Sequence, residues 1–235
     1  MARSDKLFQK RKAVSKKGLE RKKGSRKPNI RVLIVTEGER TEKDYFNRLI
    51  SHLNLSGIDV DVCADCDSAP ISVVNFAEQK VRSLSSDDKY DKVFCVFDRD
   101  THETYHAAIS KIISLNKNTR FHSSIYSVTS IPCFEFWFII HFQYTRAPYC
   151  EANGNSVGDM VVDSLKKIAG FSGYDKKLTK QQLDLLISNV DVAIKNSQRI
   201  SCDVEKTGEV NPSTRIHEMI LVLKDEKEKF SKSSS

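Results

Sequence analysis

No apolar stretch of the chain approaches the roughly 18 residues that a membrane-crossing helix needs. The N-terminus is basic but has no apolar core of the kind that marks a secretory signal. Cytoplasm is therefore the expected compartment, with no membrane partner. Walker A and GxGxxG patterns are missing, so P-loop and dinucleotide chemistries have no support. Cysteine is sparse: Cys63, Cys66, Cys95, Cys133, Cys150 and Cys202. Cys63 and Cys66 form a lone CxxC, and neither a second CxxC nor an HxxxH follows at zinc spacing, so no zinc site is expected. In a cytosolic protein of this size the thiols should be reduced, and Cys95 reads as core. No internal repeat is visible. Ser130 lies near His141 in sequence, but nothing suggests a triad.

What the chain does have is a skewed charge. The net charge is +7, from 38 Lys/Arg against 31 Asp/Glu. Residues 1–28 hold twelve of the basic and two of the acidic residues, a local charge of +10, so the remainder is mildly acidic at −3. Lys10, Arg11, Lys12, Arg21, Lys22, Lys23, Arg26 and Lys27 make this arm a candidate phosphate-backbone contact through counterion release. A solvated tail with no specific partner is the alternative. The arm has no interleaved aromatics, so it could steer nucleic acid but hardly read bases.

Hydrophobic patterning predicts an α/β domain after this arm. Strands are expected at residues 31–36, 58–63, 92–98 and 121–128, and helices near 42–54, 69–84 and 102–116. Alternation of this kind implies a mainly parallel four-stranded sheet flanked by helices, with right-handed crossovers. Thr41 is the expected N-cap of the first helix, with Asp44 completing a capping box. From about residue 130 the chain reads as helical, with helices near 132–142, 157–168, 179–197 and 212–228. Asn211-Pro212 would serve as N-cap and first turn of the last. The expected organisation is an arm at 1–28, an α/β core at 29–130, a helical extension completing that core at 131–230, and a frayed tail at 231–235.

Two acidic motifs follow apolar runs. Thr36-Glu37-Gly38 ends the first strand and Asp98-Arg99-Asp100 ends the third. The carboxyl ends of parallel strands are where open α/β sheets bind ligands. In an extended strand Asp98 and Asp100 point the same way and Arg99 the other. Glu37 joins them if the first and third strands are neighbours. Two carboxylates about 4 Å apart repel by about 4 kcal/mol at an effective dielectric near 20, and a divalent cation removes that cost. Mg²⁺ or Mn²⁺ held there could polarise a phosphodiester. Exposed strand-end acids are the plain alternative. Glu39 and Glu42 lie close by. Glu42 either balances a helix dipole or serves a second ion. Gly38 should let the backbone turn sharply and approach phosphate.

A second block, Pro132-Cys133-Phe134-Glu135-Phe136-Trp137-Phe138-Ile139-Ile140-His141-Phe142, is apolar almost all round and should be buried. Glu135 inside it is either an ion-paired structural acid or part of a site. His141 is either a hydrogen-bonded core histidine or a catalytic one.

The run Arg31-Val32-Leu33-Ile34-Val35-Thr36-Glu37-Gly38-Glu39-Arg40-Thr41-Glu42-Lys43-Asp44-Tyr45-Phe46 resembles the opening motif of the RloB family. Asp98-Arg99-Asp100, Pro132–Trp137 with His141-Phe142, Gly173-Tyr174-Asp175-Lys176 and Asn211-Pro212-Ser213-Thr214 are similar to its later blocks. The resemblance implies a Toprim-like core related to OLD-type nucleases, and a prokaryotic defence setting, often beside an AAA-type ATPase. It also implies metal ligation by Glu37, Asp98 and Asp100, with Glu42 matching the second acid of the opening block. Glu135, His141 and Lys176 carry over with less defined roles. No topoisomerase-type nucleophilic tyrosine is identifiable, which favours hydrolysis by water.

The expected function is thus Mg²⁺- or Mn²⁺-dependent hydrolysis of RNA (tRNA among the candidates) or DNA in anti-phage defence. A non-catalytic nucleic-acid-binding adaptor of an ATPase-linked complex is the alternative, and nucleotide transfer on the same metal site is a third reading. Self-association of the chain stays open.

Overall fold

A computed structural model describes residues 29–85, 88–99, 103–152 and 154–233. The basic arm and Asp100 therefore lie outside the described residues. Strands β1 (Ile30–Thr36), β2 (Ile58–Cys63), β3 (Lys92–Asp98) and β4 (Ser124–Ile131) run parallel, and the short β5 (Ser213–Thr214) pairs antiparallel with β4. Their spatial order is β2-β1-β3-β4-β5. The helices are α1 (Thr41–Leu53), α2 (Pro70–Arg82), α3 (Tyr105–Lys117), α4 (Glu135–Ile139), α5 (Val157–Lys166), α6 (Lys180–Ser188), α7 (Val190–Thr207) and α8 (Ile216–Ser233). None is long and apolar enough to cross a membrane, among the described residues.

The sheet is a two-sided core because β1 and β3 are apolar on both faces, as buried parallel strands are. Leu33, Val35, Val93, Cys95 and Phe97 pack against α2 and α3. Val32, Ile34, Phe94 and Val96 face the other way, toward α1 and the helices that follow β4. That second layer runs without a break from the sheet through Phe134–Ile140 to Phe171, Ile200 and Leu223. The helical extension therefore shares its core with the sheet. Trp137, Phe136 and Phe138 are fully buried within it, and truncating such a ring costs about 3–5 kcal/mol. All six cysteines are free thiols, and Cys95 is buried.

Several elements differ from expectation. Among the described residues the sheet has five strands, because the extension returns β5 to the edge of β4. There Ser130 Oγ lies 3.0 Å from Thr214 Oγ1, and Ser197 Oγ donates to Thr214 O at 2.9 Å. The fourth strand lies at 124–131 and not 121–128. Thr41 is the first helical residue of α1, its N-cap position is Arg40, and no capping box forms. The apolar 132–142 block holds only a five-residue helix. The expected helix at 179–197 is two helices that meet at Asn189. Asn211 and Pro212 do not start α8. Asn211 instead brackets the Tyr149 backbone, accepting from its N–H at 3.3 Å and donating to its C=O at 2.8 Å.

The last helix also runs further than expected, through Ser233, so residues 231–233 are helical. Two contacts hold this stretch. Lys227 Nζ donates to Leu53 O at 2.8 Å, taking up a carbonyl at the end of α1. The Phe230 ring rests on Gly57, which has φ +78°, and a Cβ there would fall 2.3 Å from the ring. Gly57→Ala should cost well over the roughly 1–2 kcal/mol of left-handed backbone strain alone. Gly208, at φ +76° with nothing within 4 Å, supplies the control: Gly208→Ala should show the strain only. Urea unfolding of both variants checks this, and equal losses would contradict it.

Candidate functional site

The parallel pairing of β1 with β3, in register Thr36↔Val96, brings both acidic motifs to one rim. Glu37 N donates to Val96 O at 3.2 Å, which carries the ladder one residue past β1. The Glu37 carboxylate then accepts from Asp98 N at 3.2 Å. One acid is thus strapped to the backbone of the other. Glu42 folds back from the first turn of α1 and accepts from Gly38 N at 3.2 Å. Glu135 opens α4 just beyond β4 and accepts from Tyr174 OH at 3.1 Å. These four acids line one cavity of about 760 Å³. The Gly38 to Thr41 turn and Arg99 also line it. From the extension come Pro132–Phe134, Glu151, Ser156–Gly158, Lys176 and Asn211.

The acids share a desolvated space. Burial pushes Glu42 up to about 8 from the ordinary 4.5. Repulsion from Glu37 and Glu135 adds to this, and the Gly38 backbone hydrogen bond offsets part of it. Asp98 is likewise raised well above its ordinary value, first by burial and then by Glu42, Glu135 and Glu37. Cys66, 3.4 Å from Thr36 O, is raised to about 11 by burial and by Glu37 and Glu42. Among the described residues Glu42, Asp98 and Glu135 enter no ion pair.

An all-carboxylate donor set under mutual repulsion fits a hard divalent cation, which takes oxygen ligands. No three His, Cys, Asp or Glu side chains form a ready-made metal cage among the described residues. The fit therefore rests on the chemistry of the donors and their shared charge.

Other expected residues fall differently. His141 is fully buried outside the cavity lining. Its Nδ1 lies 2.7 Å from Trp137 O, a pure acceptor, so Nδ1 carries the proton and Nε2 accepts from Tyr45 OH at 3.2 Å. Burial lowers its pKa to about 3, leaving it neutral. The structure places it as a core histidine and not beside the acids. Arg99 points away from Asp98, as strand alternation requires: its guanidinium lies 5.4 Å from the Tyr105 ring centroid, on the face of the sheet where Phe97 packs. Gly38 has no left-handed turn. Its role is room: a Cβ would sit 3.2 Å from the Glu42 carboxylate. Lys176 does reach the cavity, on a left-handed backbone (φ +49°) whose carbonyl accepts from Thr41 Oγ1 at 2.5 Å. Asp100 and the arm lysines and arginines lie outside the described residues.

Sequence reading missed Tyr174, which holds Glu135, and Thr41 as the tie to Lys176. Both contacts join residues far apart along the chain, and no local pattern marks them.

Fold and site together define an α/β protein whose parallel strand ends open into a carboxylate-lined cavity. The chain belongs to the RloB-like family, whose model, described as RloB-like protein, matches residues 32–223. No curated protein and no solved structure matches the chain.

The buried acids make stability depend on pH. In the folded, metal-free protein Glu42 keeps its proton to about pH 8, whereas the unfolded chain releases it near 4.5. Between those values the native state binds more protons, so stability falls as pH rises. At about 1.4 kcal/mol per pKa unit the full loss is on the order of 5 kcal/mol. Glu42→Gln should flatten that slope in urea unfolding of EDTA-treated protein between pH 5 and 8. An unchanged slope would contradict the assignment.

Proposed function

We propose that the protein is a Mg²⁺- or Mn²⁺-dependent nuclease built on a Toprim-like core, hydrolysing phosphodiester bonds of RNA or DNA. The observation that carries this reading is the strap between Glu37 and Asp98, with Glu42 and Glu135 facing the same cavity. Glu37, Asp98, Asp100 and Glu42 would hold the metal. The bound ion would polarise the phosphodiester and lower the pKa of a water.

The chain's own residues supply the rest. Tyr174 fixes the Glu135 carboxylate by its hydrogen bond. Arg40 and Lys176 bring positive charge to the same cavity and balance a phosphate there. The basic arm anchors more distant backbone through counterion release, so binding should weaken steeply with salt. Family membership is the support for a setting in prokaryotic anti-phage defence with an AAA-type ATPase partner, in the cytoplasm.

Incubation with mixed tRNA, total RNA and plasmid DNA, in Mg²⁺, Mn²⁺ or EDTA, tests the reading. Cleavage should require the metal. It should fall about 100-fold or more in Glu37→Gln and in Asp98→Asn, the scale of several kcal/mol of lost electrostatic stabilisation. Wild type and both variants behaving alike, with nucleic acid bound but uncut, would replace the nuclease by an adaptor.

A further inference from the structure

The cavity has a second face that metal chemistry leaves unused. Ile131, Pro132, Val157 and Val162 line it beside the acids. Pro132 and Val162 are buried, and Val157 is partly so. A carboxylate floor next to an apolar wall matches the two ends of a nucleotide. The phosphate, with its cation, belongs at the floor, and an unstacked base at the wall.

Size and rigidity narrow the substrate further. A space of 760 Å³ is about 9 Å across if equant. The major groove of B-DNA alone is about 12 Å wide, so an intact duplex does not fit, whereas sites of this volume enclose single small molecules. The walls are also fastened. Thr41 Oγ1 holds Lys176 O at 2.5 Å, Asn211 holds the Tyr149 backbone from both sides, and Ser156 and Asp159 form a capping box at the start of α5. Arg146 holds the carbonyls of Glu209 and Pro212 on the Asn211 side. Spreading the extension away from the start of α1 would break the Thr41–Lys176 bond.

We infer that the site takes nucleic acid only as an unpaired strand, with one nucleotide inserted and its base against Pro132, Val157 and Val162. This rests on the nuclease reading for its substrate class. Paired nucleotides must first be extruded, which costs stacking at the steps on either side.

The test uses full-length protein and end-labelled RNA and DNA hairpins, each also supplied with a complement that pairs the loop. In Mn²⁺, cuts should map to the loop and drop at least about tenfold when the loop is paired, the scale of one lost stacking step. Equal cutting of stem and loop would overturn the inference and leave the nuclease reading standing. A cleavage-independent arm places 2-aminopurine in the loop and uses Ca²⁺. Insertion should change its fluorescence, and Val157→Trp, which fills the wall at the first residue of α5, should abolish that change. Anisotropy of the hairpin, carried by the basic arm, should stay. Insertion without cleavage in any metal would sink the nuclease reading alone. A folded Val157→Trp protein, checked by circular dichroism, that still gave the wild-type fluorescence change would sink this inference. So would the absence of any change in the wild type.

Discussion

Carboxyl groups gathered in a desolvated space are the constraint on which the rest of this structure depends. Glu37, Glu42, Asp98 and Glu135 come from four places along the chain and share one cavity. Burial raises the cost of ionising Glu42 and Asp98, and their acidic neighbours raise it further. Left to themselves, such groups would turn to solvent. They stay because backbone donors hold them: Asp98 N on Glu37 and Gly38 N on Glu42, with the Tyr174 hydroxyl on Glu135. The fold therefore keeps acids at the rim of the sheet whose ionisation is costly, and an added cation lowers that cost.

The helical extension is what makes the rim a cavity. A bare parallel sheet would present the Glu37 and Asp98 ends to open solvent. Here α4 brings Glu135 alongside them, and the segment around Tyr174 and Lys176 closes over the start of α1. The return of β5 to the edge of β4 fixes that arrangement from behind. Packing and site geometry are coupled in this way: the apolar layer that buries Trp137 also sets the depth of the acids.

Much of the fold was legible because its signals are local. The apolar runs of β1 and β3 and the alternation of β2 read directly as strands, and β2 and β3 fall at the expected residues. The convergence of Glu37 with Asp98 was legible as well, since crossover topology makes β1 and β3 neighbours. The remainder depends on distant contacts. β5 has two residues and no periodicity of its own. The block after Pro132 is apolar all round, so composition could not separate a long helix from one turn followed by buried coil. Asn211-Pro212 has the chemistry of a helix start, yet Asn211 is taken by Tyr149, 62 residues away. His141 reads more readily as a core histidine than as a catalytic one, and its two buried hydrogen-bond partners decide for the core.

Calorimetric titration of Mn²⁺ into the metal-free protein near pH 7, in two buffers of different ionisation enthalpy, tests the central claim most directly. A cation that binds the acid cluster must displace the proton that burial leaves on Glu42. Saturable binding with net proton release, weakened about tenfold or more in Asp98→Asn, is the expected result. Absence of saturable heat, or equal affinity and no proton release in wild type and variant alike, would contradict it.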